Sequence, residues 1–134
     1  MKEYVIGYFT FLVPMLAIDS VWLFTTSKRL YAPRIGSLLA EKPRLIPAAV
    51  FYLVYAFGAT VLVVVRAVSN ETGYLKTFGL GAILGFFAYA TYDLTNQATL
   101  REWPTEVTVI DLIWGAALTG VVSIIAVSLT RLFA

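Results

Sequence analysis

The stretch TEVTVIDLIWGAALTGVVSIIAVSLTRLF, Thr105 to Phe133, decides the fold. Its only charges are Glu106 near the start, Asp111 about one and a half turns in, and Arg131 close to the far end. Everything between is apolar, small or hydroxylic. About 20 such residues cross the hydrocarbon of a bilayer as a helix. No water is present there to satisfy a backbone, so a helix is the form this segment takes. Asp111 stands out within it, because a carboxylate in hydrocarbon is costly and marks a functional site by default.

Three more windows read the same way: residues 4–25, 45–65 and 75–98, the last with a polar final turn. With 105–133 they predict an all-α, integral membrane four-helix transmembrane bundle, one domain over residues 1–134. The first window reads as a retained span rather than a signal peptide, since Asp19 interrupts its end and no small-x-small cleavage pattern follows. Composition agrees, with 60% hydrophobic and 13% charged residues. Soluble domains run nearer half apolar and a quarter charged. The net charge of +2 is small and its positive residues sit near membrane edges, so nucleic acid is not an expected partner. Cysteine and histidine are both absent. That removes disulfides, thiolate and typical zinc sites, histidine-ligated haem and di-iron, and Ser-His or Cys-His catalysis; no metal and no cofactor is expected.

Positive charge orients the chain. The connection at residues 26–44 carries Lys28, Arg29, Arg34, Lys42 and Arg44, and the third connection adds Arg101. Lys2, Arg66, Lys76 and Arg131 lie on the other side. The positive-inside rule places the first group in the cytoplasm and both termini in the periplasm of a bacterial inner membrane. Within the long connection, Leu30, Tyr31, Ile35, Leu38 and Leu39 alternate with basic residues between Pro33 and Pro43. That spacing suits a helix lying in the headgroup plane, or simply a basic loop. Gly81 and Gly85 form a GxxxG, and Ala116 with Gly120 a small-xxx-small pair, which mark close helix contacts. Pro14 removes the helical partner of the Thr10 carbonyl and predicts a kink.

The polar residues converge. The first and third spans end on the side where the second and fourth begin. Asp19 and Asp111 then lie roughly 8 Å below the same surface, and Asp93 at similar depth. Tyr89, Asp93, Asn96 and Gln97 share one stripe, with Tyr92 and Thr95 beside it. Asp19 precedes Trp22 in IDSVW and Asp111 precedes Trp114 in IDLIW, so each indole shares its aspartate's face. The expected pocket is acidic and aromatic-lined, near the cytoplasmic face, with ligand-binding residues Asp19, Trp22, Tyr89, Tyr92, Asp93, Asn96, Asp111 and Trp114. Lys42, Arg44 and Arg101 are candidate positive partners. Blander roles compete. Interfacial aspartates can cap helices, Tyr31 and Trp103 read as belt residues, and Tyr52 and Tyr55 read as packing.

Three functions fit such a pocket. It could bind a cationic or amphiphilic, lipid-like molecule through carboxylates and aromatic faces. It could exchange a proton or cation in a small transporter, which at this size would work as a homo-oligomer such as a homodimer. Small multidrug exporters share this size and helix count but use a glutamate within the first span, where this chain has Asp19 near its end. It could also be a lipid-modifying enzyme, with aspartates holding a hard cation or dividing acid and base roles, although no nucleophile stands out. Membrane lipid is a partner in every case.

The segments AYATYDLTNQATLREWP (88–104) and VIDLIWG (109–115), with IDSVWL (18–23) and YAPRIG (31–36), resemble a family of small bacterial inner-membrane proteins catalogued as domain of unknown function 2177. The likeness covers nearly the whole chain. It implies four spans and a patterned polar cluster of Asp19, Trp22, Tyr92, Asp93, Asn96, Asp111 and Trp114, and it carries no activity to transfer.

Overall fold

A computed structural model describes all residues, 1–134, and the chain is helical with no strand. The helices are α1 (Lys2–Leu38), α2 (Leu45–Ser69), α3 (Tyr74–Thr99) and α4 (Thr105–Phe133). They form a membrane helical bundle. Three of them, α1, α2 and α4, are long and apolar enough to cross a membrane by length and composition. The bundle's outside suits such a setting: Phe9, Val13, Phe24, Leu62, Leu75 and Phe87 all point outward and are exposed. A water-soluble surface rarely carries so much contiguous apolar side chain.

Two spans differ from the sequence expectation. The first does not end near residue 25. Regular α-helix over Lys2–Thr26 passes into a π turn at Ser27–Tyr31, a short α segment at Ala32–Ile35 and a 3-10 turn at Gly36–Leu38. Much of the expected loop is therefore helix, and α1 also runs uninterrupted through Pro14. The second span contains its own π turn at Thr60–Val64.

Small residues set how closely the helices approach. On α3, a Cβ on Gly81 would fall 2.5 Å from Ser123 Oγ, and one on Gly85 would collide with the Gly115 carbonyl oxygen and lie 2.7 Å from Thr119 Oγ1. The GxxxG of α3 thus meets a row of Gly115, Thr119 and Ser123 on α4. Of the Ala116–Gly120 pair, Gly120 also makes a close contact with α3, at a different residue. It receives the Phe78 ring, 2.7 Å from its would-be Cβ, and Ala116 lines an outer apolar hollow. In lipid, apolar burial drives little association between helices, so close backbone approach through small residues carries the contact. Phe11, Met15, Ala56, Val64, Leu118, Val122, Ala126 and Val127 fill the centre of the bundle.

Helix α2 meets α1 from Tyr52 onward and packs most closely against it in its second half. There Thr60 and Val64 would lie 3.2 Å from a Cβ on Gly7, while residues 45–51 are exposed. The gap between the first half of α2 and α3 leaves a groove of about 380 Å³ lined by Phe51, Ala88, Tyr89 and Tyr92.

Candidate functional site

All three aspartates are buried, and they lie at one end of the bundle. They form two clusters joined by a pair of stacked indoles.

The first cluster centres on Asp19 of α1. Tyr52 of α2 donates its hydroxyl to Asp19 Oδ2 at 2.5 Å, and Trp114 of α4 donates its indole N–H to Oδ1 at 3.0 Å. Each carboxyl oxygen thus has a donor, and such bonds offset much of the cost of burying a polar group. No lysine or arginine takes part. The second cluster centres on Asp111 of α4. Tyr31 donates its hydroxyl to Asp111 Oδ1 at 2.5 Å, and that hydroxyl accepts from the Trp22 indole at 3.2 Å.

The π turn makes this second link. At about 100° per residue, nine residues of uninterrupted α-helix would leave Tyr31 on the face opposite Trp22. The wider i→i+5 turn over Ser27–Tyr31 withholds about one residue's rotation, roughly 100°, and brings Tyr31 from the opposite face to within reach of Trp22. A π turn at such a point is common where helices carry function.

The two indoles stack on each other, with centroids 4.2 Å apart and planes 8° from parallel. Both IDxxW motifs contribute to this, in a crossed sense. Helices α1 and α4 run antiparallel, so side chains tilted toward each helix's own N-terminus lean in opposite directions and meet. Trp114 then bonds to the other motif's aspartate directly, and Trp22 reaches the other through Tyr31.

Asp93 of α3 is 0% exposed. Its carboxyl lies close enough to that of Asp111 for the two acids to share a proton, and no other group donates to Oδ1 or Oδ2. Gln97, one turn along the same stripe, donates to Thr105 Oγ1 at 2.9 Å, but its buried Oε1 also has no partner. Apart from that shared proton, three acceptor oxygens on one face of α3 thus lack a hydrogen. Buried polar atoms in folded proteins are nearly always paired, so such a group calls for an explanation.

The other expected residues fall around this core. Tyr89 packs its ring over Gly115 and walls the groove beside α2. Tyr92 walls the same groove, is exposed, and meets Trp103 edge-on at 5.7 Å. Asn96 is half-buried at the end of α3 and its backbone carbonyl accepts from Leu100. The groove itself is apolar, so the aspartates lie behind its aromatic wall rather than lining it. The expected picture of one open acidic pocket becomes a closed acidic interior next to an open aromatic groove.

Several residues read as bland hold this site together. Tyr31 is not a belt residue, and Tyr52 is not mere packing, since each donates to a buried aspartate. Tyr55 bonds Thr119 at 2.7 Å, and Trp103 donates to Thr108 at 3.1 Å. Lys42, Arg44 and Arg101 are exposed and pair with none of the aspartates. Arg34 is the loop cation that finds an acid, bonding Glu106 at 3.0 Å across the surface. Ser20, beside Asp19 in sequence, is exposed while Asp19 is buried, which puts its hydroxyl on a different face.

Neither a curated protein nor a solved structure matches the chain. A family model described as "Predicted membrane protein (DUF2177)" matches residues 4–128, nearly the full length, and the chain belongs to that family.

Proposed function

We propose that the protein binds a cationic amphiphile of the bacterial inner membrane, with the charged head at Asp93, Gln97 and Asp111 and the apolar tail in the groove of Phe51, Ala88, Tyr89 and Tyr92. The observation that carries this reading is Asp93, wholly buried with both carboxyl oxygens lacking any donor beyond a proton shared with Asp111. The groove supports it. Its volume of about 380 Å³ falls in the range of small-molecule sites, and two of its lining residues, Tyr89 and Tyr92, lie one turn before Asp93 and next to it on α3. A membrane amphiphile would reach the groove sideways from the lipid, with its head at the level where the aspartates sit.

In this reading α3 is a fourth span. It has 26 residues and pairs antiparallel with α4 from Phe78 beside Gly120 to Gln97 beside Thr105. The loop cations Lys28, Arg29, Arg34, Lys42 and Arg44 then face the cytoplasm, and both termini face the periplasm.

Native mass spectrometry of protein purified from bacterial membranes in a mild non-ionic detergent tests the proposal. The expected result is a retained amphiphile that Asp93→Asn loses and Ser20→Ala keeps. A wild-type protein that carries no amphiphile and takes up none when supplied would refute it. Proton flux in proteoliposomes abolished by Asp19→Asn would favour transport instead, and turnover of lipid would favour catalysis.

A further inference from the structure

We infer that the head recognised at Asp93 is a primary ammonium, the R–NH3⁺ group of an amine-bearing amphiphile, and not a quaternary ammonium. The inference rests on the proposed function and names the chemistry of its ligand. It follows from counting donors. Apart from a proton shared with Asp111, Asp93 Oδ1, Asp93 Oδ2 and Gln97 Oε1 are three buried acceptors that no side chain supplies, one helical turn apart on one face of α3. An alkylammonium offers three N–H donors and no acceptor. Four neighbouring donors spend their hydrogens elsewhere. The Tyr31 hydroxyl serves Asp111, the Trp22 indole serves Tyr31, the Trp103 indole serves Thr108, and the Gln97 amide serves Thr105. Arg34, from the loop, is held by Glu106.

A quaternary head would need a different site. It has no N–H to give, and it is recognised by open aromatic faces. Here Trp22 and Trp114 each cover one face of the other at 4.2 Å, and the rings that stay open line the groove that the tail occupies. Tyr92 turns edge-to-face with Trp103, with planes 83° apart. A trimethylated nitrogen at Asp93 would give a hydrogen to none of the three oxygens and press methyl groups against a carboxyl that is 0% exposed.

The experiment uses the full chain in non-ionic detergent micelles and three probes of equal tail length: dodecylamine, dodecyltrimethylammonium and dodecanol. Binding is read by titration calorimetry and by the shift in unfolding temperature. Dodecylamine is expected to bind at least about tenfold tighter than dodecyltrimethylammonium, the scale of one charge-assisted hydrogen bond. Asp93→Asn should erase that preference while dodecanol binding stays unchanged. If Asp93→Asn fails to fold, Gln97→Leu removes one of the three acceptors from a half-buried position and should cut the preference several-fold. Equal affinity for the two cations would overturn the primary-ammonium assignment and leave the proposed function standing. If neither cation binds better than dodecanol, both readings fail.

Discussion

Replacing Tyr31 by Phe tests whether the helical segment after Thr26 is part of the site or a surface connection. The hydroxyl lost in Tyr31→Phe does two things: it donates to Asp111 Oδ1 at 2.5 Å and accepts from the Trp22 indole at 3.2 Å. Hydrogen bonds between membrane helices average about 0.6 kcal/mol and reach about 1.7 kcal/mol. Leaving a buried acceptor without its donor runs higher, at about 1–3 kcal/mol. Asp111 is buried and would lose a donor on Oδ1, so the upper part of that range applies. The Trp22 indole is half-buried and would recover part of its bond elsewhere. Together these give an expected destabilisation of about 2–3 kcal/mol. A belt tyrosine would cost no more than about 0.5 kcal/mol, the usual scale for surface changes. The assay is unfolding by dodecyl sulfate in mixed micelles, followed by tryptophan fluorescence. A double-mutant cycle with Asp111→Asn should give a coupling of about 1–2 kcal/mol. A loss below about 0.5 kcal/mol, or strictly additive effects in the cycle, would refute the link between the π turn and Asp111.

Other outcomes follow from single contacts. Gly85→Ala forces a methyl against the Gly115 carbonyl, where backbone faces backbone and neither side can yield, so α3 and α4 should separate at a cost above about 2 kcal/mol in the same unfolding assay. Gly58→Ala, whose new methyl meets nothing within 4 Å, should instead be neutral or stabilising by up to about 1 kcal/mol. Near-ultraviolet circular dichroism should show a coupled band from the stacked indoles that vanishes in both Trp22→Phe and Trp114→Phe; a band surviving either change would mean that the rings are not stacked in the folded protein. Glu106→Gln breaks only a surface pair with Arg34 and should cost under about 1 kcal/mol, less still at high salt, as measured by unfolding at two ionic strengths.

Much of this protein was legible in the chain itself. Hydropathy along Thr105–Phe133 and the other long windows specifies helices, because a backbone in lipid has no other way to pair its polar groups. Connectivity alone brings Asp19, Asp93 and Asp111 to one end, since alternate spans must begin and end together. The spacing in IDSVW and IDLIW also marked both tryptophans as neighbours of the acids. What a linear pattern cannot hold is rotation: how far each helix turns about its axis to face its neighbours is set by the packing of all of them at once. That rotation put Tyr52 rather than Arg44 against Asp19, and chose Gly115, Thr119 and Ser123 as the residues that Gly81 and Gly85 meet. The π turn, which no composition signals, altered the phase of α1 and carried Tyr31 from an expected loop into the bundle. Tertiary structure likewise divided the acids into a paired Asp19 and a donor-starved Asp93, because only the neighbours that packing delivers can supply a hydrogen.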